Sequence, residues 1–345
     1  MDISAFDYEL PEELIAQEPL PQRDASRMLV VDREKQTWTD SNFAEFPLQL
    51  NPGDVLVINN TRVFPARIVG RREPSGGRVE VLLVREIEPL LWESLVRPGR
   101  RLKQGDRIDF AHGRLKAEVT DAPGTGLRQL RLTCTGSFEE VLDEIGDMPL
   151  PPYIARPHGT SAADRERYQT YFARERGAIA APTAGLHFTP EILNQTAGRG
   201  VQLAQVTLHV GYGTFEPVRV NDSEHHRVAA ERFEIDEKAA STINQARGRG
   251  GRVIAVGTTT TRALESAVGE DGILKPTHGN AELTIVPGYR FRITDALLTN
   301  FHLPRSSLLM LVSAFAGHAL ALDAYHHAVE ARYRFYSYGD CMIVI

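Results

Sequence analysis

Arg252-Val253-Ile254-Ala255-Val256-Gly257-Thr258-Thr259-Thr260-Thr261-Arg262-Ala263-Leu264-Glu265-Ser266 decides the fold class of this 345-residue chain. Its first part is a short apolar run ended by glycine, which reads as a strand buried on both faces, as in a parallel sheet covered by helices. Gly257 and the threonines then turn the chain into a helix over 262–266, and this strand-turn-helix unit defines an α/β texture. Working outward, strand and helix keep alternating. A strand is expected at 177–181, then a helix capped by Thr189 with Pro190 at its first position and Gly198 near its end. Further strands are expected at 201–210, 283–286, 290–293 and 297–300, with helices at 236–247 and, as one helix or a pair, at 306–332. The strand-like runs 28–31 and 54–58 join the same body.

Between about residues 68 and 136 the texture changes. Short β runs at 78–84, 91–96, 107–110, 115–119 and 129–133 are separated by Gly76-Gly77, Pro98-Gly99, Gly105-Asp106 and Gly113. Closely spaced strands with glycine and proline turns are the pattern of a small all-β barrel or sandwich. A helix with the capping-box residues Ser137 and Glu140 closes this segment near Gly146, before Pro149, Pro151 and Pro152. The β module therefore reads as an insertion into the α/β body. A length of 345 residues agrees with two domains.

Two cysteines, Cys134 and Cys341, are too few for a disulfide scaffold and fit a reducing compartment. The opening Met1-Asp2-Ile3-Ser4 lacks the basic and then apolar pattern of a secretory signal, and no apolar run approaches the length that spans a bilayer. A cytoplasmic location without membrane contact is expected. The net charge of −6 hides an uneven distribution: residues 62–107 carry eleven basic and six acidic side chains, a local +5, leaving −11 elsewhere. That window reads either as a seat for a polyanion or as a solvated β surface with scattered arginines.

Three runs share a grammar of histidine among glycine, threonine and apolar residues: 181–189 around His187, 207–215 around His209, and 299–304 around His302. Such runs interrupt apolar patterning with groups that donate, accept or carry a proton. The turn Asn59-Asn60-Thr61-Arg62 offers amides, a hydroxyl and a guanidinium for a carboxylate or phosphate. Gly257-Thr258-Thr259 presents backbone amides at a helix start, without the Walker lysine or the spaced glycines of a dinucleotide fingerprint. No pair of these histidines has the helical i, i+4 spacing of a zinc hydrolase, so no metal is expected. No Gly-x-Ser-x-Gly elbow is present, which leaves serine hydrolysis unsupported.

Phe6-Asp7-Tyr8-Glu9-Leu10-Pro11, Arg23-Asp24-Ala25-Ser26-Arg27, Asn59-Asn60-Thr61-Arg62-Val63, Leu150-Pro151-Pro152-Tyr153-Ile154, Tyr168-Gln169-Thr170-Tyr171, the three histidine runs, Val256-Gly257-Thr258-Thr259 and Tyr338-Gly339-Asp340 together give the chain a family resemblance. It resembles the S-adenosylmethionine:tRNA ribosyltransferase-isomerases of queuosine biosynthesis from end to end. One departure stands out: His226 and Glu231 match a His/Glu motif of that family, but its second histidine position is Ala229 here, with His225 close by.

The resemblance implies a larger α/β barrel-like domain (1–67 plus 150–345) with an inserted Greek-key β-barrel domain (68–149). It implies transfer of the ribosyl part of S-adenosylmethionine to 7-aminomethyl-7-deazaguanine at the wobble position of tRNA. Rearrangement to an epoxycyclopentane-diol follows, with release of adenine and methionine. S-adenosylmethionine is then a consumed substrate, no cofactor is needed, the partner is a tRNA anticodon arm, and the protein is a monomer. His187 and His209 are expected to move protons, with His302 third. Arg62, Asn59 and Asn60 are expected to grip the donor, and Thr258, Thr259 and Asn300 to contact ribose or base. Arg23, Asp24, Arg27, Thr61, Thr183, Gly185, Thr214, His226 and Asp340 complete the expected substrate site. Arg97, Arg100 and Arg101 are expected on tRNA phosphates. Two rivals are a noncatalytic RNA-binding protein and a conventional methyltransferase; the second lacks its glycine-rich loop here.

Overall fold

A hairpin, β1 (Arg27–Asp32) and β2 (Thr37–Asn42), opens the main sheet, followed by β3 (Val55–Asn59), buried at every position. The computed structural model describes residues 1–99, 102–121, 126–157, 159–215 and 218–345, without the side chains of 214 and 215. β3 is apolar throughout because both faces are covered: Val55 and Val57 enter one core, Leu56 and Ile58 the other. Full burial stabilises each such side chain by about 1.5–3 kcal/mol, which suits this strand to the middle of the sheet. A short strand, β4 (Thr61–Val63), follows.

The chain then leaves the sheet to form a closed barrel from β5 (Arg67–Glu73), β6 (Arg78–Glu88), β7 (Leu91–Arg97), β8 (Arg107–Phe110), β9 (Leu115–Asp121) and β10 (Leu127–Cys134), in spatial order β10-β7-β6-β5-β8-β9. Three consecutive strands with the fourth returning beside the first, β8-β5-β6-β7, make it a Greek key. Ile68, Val81, Leu83, Ile108, Val119 and Leu130 fill the interior. Gly70 lets β5 approach β8: a Cβ there would lie 2.6 Å from the Phe110 ring. α1 (Phe138–Ile145) closes the module, with Ser137 Oγ accepting from the Glu140 N–H at 3.3 Å.

On returning, the chain runs through α2 (Ala162–Arg167), β11 (Glu175–Ala178), α3 (Pro190–Gly198), β12 (Gln202–Leu208), β13 (Glu231–Ile235), α4 (Glu237–Gly248), β14 (Val253–Val256), α5 (Thr258–Ala267), β15 (Thr277–Ala281), β16 (Ala296–Asn300), α6 (Ser307–Ala316), α7 (His318–Glu330) and β17 (Cys341–Val344). Nine strands form one mixed sheet in the order β15-β13-β12-β3-β14-β16-β17-β1-β2, and β11 pairs with β4 in a small second sheet. The α/β class is as expected, and the large sheet is open, with β15 and β2 at its edges.

Several elements differ from expectation. Residues 283–286 and 290–293 are irregular rather than strands. The Glu265 carboxylate accepts the N–H groups of Arg292, Ile293 and Thr294, so that backbone is satisfied by a side chain instead of a ladder. No apolar periodicity predicts β2, β13 or β15, because most of their residues are polar and these strands lie on sheet edges or next to them. α5 begins four residues earlier than the expected 262. Thr260 Oγ1 donates to Val256 O (2.6 Å) and Thr261 Oγ1 to Gly257 O (3.2 Å), which absorbs two hydroxyls into the helix. Among the described residues no single helix is long and apolar enough to cross a membrane. α6 and α7 would suffice together but are bent by 116° and pack into the core beside β1 and β17.

Candidate active site

β12, β3, β14 and β16 are consecutive and mutually parallel, so their carboxyl ends open along one edge of the sheet. Crevices at such ends are where open α/β sheets bind ligands. These ends deliver His209 and Val210, Asn59 to Thr61, Gly257 to Thr259, and Thr299 to His302. Gly257, with φ of 90°, makes the sharp turn that aims the start of α5 there.

A cleft with an empty volume of about 550 Å³, mouth included, lies over this edge. Its floor is Gly257, Thr258, Thr259, Thr299, Asn300 and His302, and Thr183 closes one side. Its lining is also aromatic: Tyr153, Tyr168 and Tyr336, with Ser337 between the last and Tyr338. The sequence reading missed this wall. Tyr153 and Tyr168 lie within motifs already singled out, whereas nothing local marks Tyr336 as a neighbour of either.

Of the three histidines, only His302 lines the cleft. Its Nε2 is 2.9 Å from Thr299 Oγ1, its N–H donates to the Tyr325 hydroxyl, and its carbonyl accepts from Tyr8. Nδ1 has no partner among the described residues. Burial alone pushes its pKa down to about 3, so the ring is uncharged at neutral pH. His187 sits behind the floor on the turn 183–187, with Nδ1 2.8 Å from Ser26 Oγ and its ring against Phe43. Burial lowers its pKa to about 4, partly opposed by Asn300. His209 follows β12, with Nδ1 2.8 Å from Thr61 Oγ1, and burial followed by the charge of Arg232 lowers it to about 4. The three are thus not a single cluster.

Asn59 and Asn60 are spent on the sheet. Asn59 bridges to β12 through both N–H and C=O of Leu208 (3.0 and 2.9 Å), and Asn60 Oδ1 accepts from Thr207 at 2.7 Å. Strand ends leave backbone groups needing partners, and these amides supply them. Arg62 points to solvent because its neighbours on β4, Thr61 and Val63, take the buried positions. Arg23 donates to the Leu186 and Glu166 carbonyls, and Arg27 stacks 3.7 Å above Tyr333. Asp340 accepts the N–H groups of Arg27 and Arg334, and burial raises its pKa. Asp24 is half-buried on the turn between Arg23 and Ala25. Gly185 packs where a Cβ would be 2.8 Å from Thr170. His226 is half-buried beyond the cleft, and Ala229 is exposed, facing Gly213. Glu231 takes a buried ion pair with Arg262 and accepts the Gly211 N–H at 2.8 Å, tying the His209 loop to α5. The Thr214 side chain, Arg100 and Arg101 lie outside the described residues.

A second, wider groove separates the barrel from the segment 147–160, with an empty volume of about 2320 Å³ including its mouth. Arg67, Arg97 and Arg128 enter it from the barrel, and Arg156 from the other bank. Arg97 is exposed and has no carboxylate partner among the described residues. The two cavities share a wall: Tyr153, Ala180 and Val210 face the cleft, while Ile154, Ile179 and Tyr212 face the groove.

Fold and site together define an α/β protein with an inserted Greek-key barrel and a ligand crevice at the carboxyl ends of its parallel strands. The chain belongs to the family described as "Queuosine biosynthesis protein", whose model matches residues 3–344. It is 51% identical over 345 residues to the S-adenosylmethionine:tRNA ribosyltransferase-isomerase of Pelotomaculum thermopropionicum, and 50% identical to that of Symbiobacterium thermophilum, with 100% of each chain covered. The crystal structure of the S-adenosylmethionine tRNA ribosyltransferase of Thermotoga maritima matches with a TM-score of 0.57 at 36% identity, covering 99% of this chain and 100% of that one. The family expected from the motifs is the one found.

Proposed function

We propose that this enzyme transfers and isomerises the ribosyl moiety of S-adenosylmethionine onto 7-aminomethyl-7-deazaguanine at the tRNA wobble position, giving epoxyqueuosine-tRNA with release of adenine and methionine. The observation that carries this reading is the tyrosine-walled cleft with an uncharged His302 on its floor. The donor is a sulfonium cation, and a histidine kept neutral by burial does not repel it, while the same burial makes it a weaker base than a free imidazole. A proton on the carbon beside the sulfonium is acidified by the positive sulfur, and the attacking amine must lose a proton as well. His302, with Nε2 held by Thr299, takes the first of these roles, and His209, bonded to Thr61 and outside the lining of both cavities, would have to turn toward the substrate to take the second. Thr258 and Thr259 supply hydroxyls and helix-start amides to the donor's ribose or carboxylate.

The anticodon arm lies in the groove between the barrel, taken as 68–149, and the body, taken as 1–67 plus 150–345, with Arg97 on its phosphates. The wobble base crosses the shared wall to reach the donor. The enzyme acts as a cytoplasmic monomer, with S-adenosylmethionine consumed rather than regenerated and no further cofactor.

The test is mass spectrometry of an anticodon stem-loop bearing 7-aminomethyl-7-deazaguanine, incubated with the protein and S-adenosylmethionine while free adenine and methionine are quantified. A ribosyl-derived mass gain matched by equal adenine and methionine is expected. A methyl gain with S-adenosylhomocysteine, or binding without product, would overturn the proposal.

A further inference from the structure

Tyr336 has a φ of 74°, a left-handed backbone that a bulky side chain rarely adopts and that costs free energy to hold. It is the cleft-lining residue with this strain, and its surroundings maintain it. Its N–H donates to Phe301 O, and its carbonyl accepts from Asn300 Nδ2 and from the Gly339 N–H, each at 3.0 Å. The Oδ1 of Asn300 and the Nε2 of His187 are both buried without a hydrogen-bond partner, and Asn300 partly opposes the downward pKa shift that burial gives His187. His187 Nδ1 is in turn bonded to Ser26 at the start of β1. Asn300 thus ties the Tyr336 carbonyl to the end of β16, and the Tyr336 ring meets Tyr153 edge-on.

Strain retained at a ligand cleft marks a side chain that must be presented in one place. The cleft has a polar floor and an aromatic wall, which suits a nucleoside: hydroxyls over the threonines and a planar base against the tyrosines. Resting on the proposed function, we propose that Tyr336 contacts the substrate, its ring forming one face of the seat for the adenine of S-adenosylmethionine.

The experiment measures S-adenosylmethionine binding to the full-length protein by calorimetry, stem-loop RNA binding by fluorescence anisotropy, and Tm, for wild type, Tyr336→Gly and Tyr336→Phe. Tyr336→Gly removes the ring and relieves the backbone; the lost packing lowers Tm, while S-adenosylmethionine binds at least about fivefold more weakly, the lower end of what stacking one base on an aromatic ring contributes. Tyr336→Phe keeps the ring and binds within about twofold of wild type. If glycine loosens the segment, Tyr336→Asn, which also tolerates the left-handed region, replaces it. Unchanged S-adenosylmethionine affinity in the glycine or asparagine variant, or loss of stem-loop affinity alone, would overturn the inference. Absence of binding in the wild type would instead overturn the proposed function.

Discussion

Lowering the pH from 7 to 5 should destabilise this protein through two histidines. His187 and His302 are 4% and 6% exposed, and burial drops their pKa values to about 4 and about 3. A histidine whose folded pKa lies below its unfolded value of about 6.5 binds its proton more weakly in the native state. The unfolded chain then takes up more protons as the pH falls, and stability falls with it, from about pH 6.5 down to the folded pKa. Each group contributes about 2 kcal/mol of lost stability between pH 7 and 5, or about 4 kcal/mol together, a large part of a typical total of about 5–15 kcal/mol. His209, half-buried and lowered to about 4, adds in the same direction but is left out of the sum because solvent screens it. Asp40 and Asp164 have pKa values lowered from 3.8 and titrate below this window. Asp340, raised by burial, works the other way and trims the loss. Urea unfolding followed by circular dichroism at constant ionic strength reads the difference, and His187→Gln should remove about half of it. A loss below about 1 kcal/mol would show that these rings are charged or hydrated in the native state and would refute the reasoning.

The buried Arg262–Glu231 pair gives a second expectation: Arg262→Met strands the carboxylate and the Ala281 and Leu283 carbonyls, costing about 3–5 kcal/mol in urea unfolding. Adding Glu231→Leu should recover part of that cost, and a double variant as destabilised as the sum of the singles would count against the coupling. Gly177→Ala places a methyl group 2.7 Å from the His209 ring, pushing it off Thr61, so stability should drop by about 1–3 kcal/mol and turnover with it. Unaltered turnover with an unaltered Tm would mean that His209 tolerates displacement.

Much of the fold was legible because it rests on local rules. The buried strand at Val253–Val256, the cap at Thr189 followed by Pro190, the cap at Ser137 and the run of short strands from β5 to β10 are each specified by neighbours in sequence. The strands that went unread, such as β13 and β15, carry polar residues on their alternate, exposed positions, and only pairing with a neighbouring strand makes them strands. The same division runs through the site. The residue types were visible in the histidine runs, yet their partners were not: Asn59 is consumed by Leu208, 149 positions away, and His187 by Ser26, 161 positions away.

By itself, then, the sequence determined the class of the fold, the presence of an inserted β module and the segments from which the site is built, because periodicity, capping and turn chemistry act over a few residues. Tertiary structure alone decided which histidine faces the cleft, that Asn59, Asn60 and Arg62 do not, and that Tyr153, Tyr168 and Tyr336 share one wall. Those outcomes depend on the order of parallel strands in the sheet and on which polar groups the strand ends need for themselves. Neither is encoded at any single position.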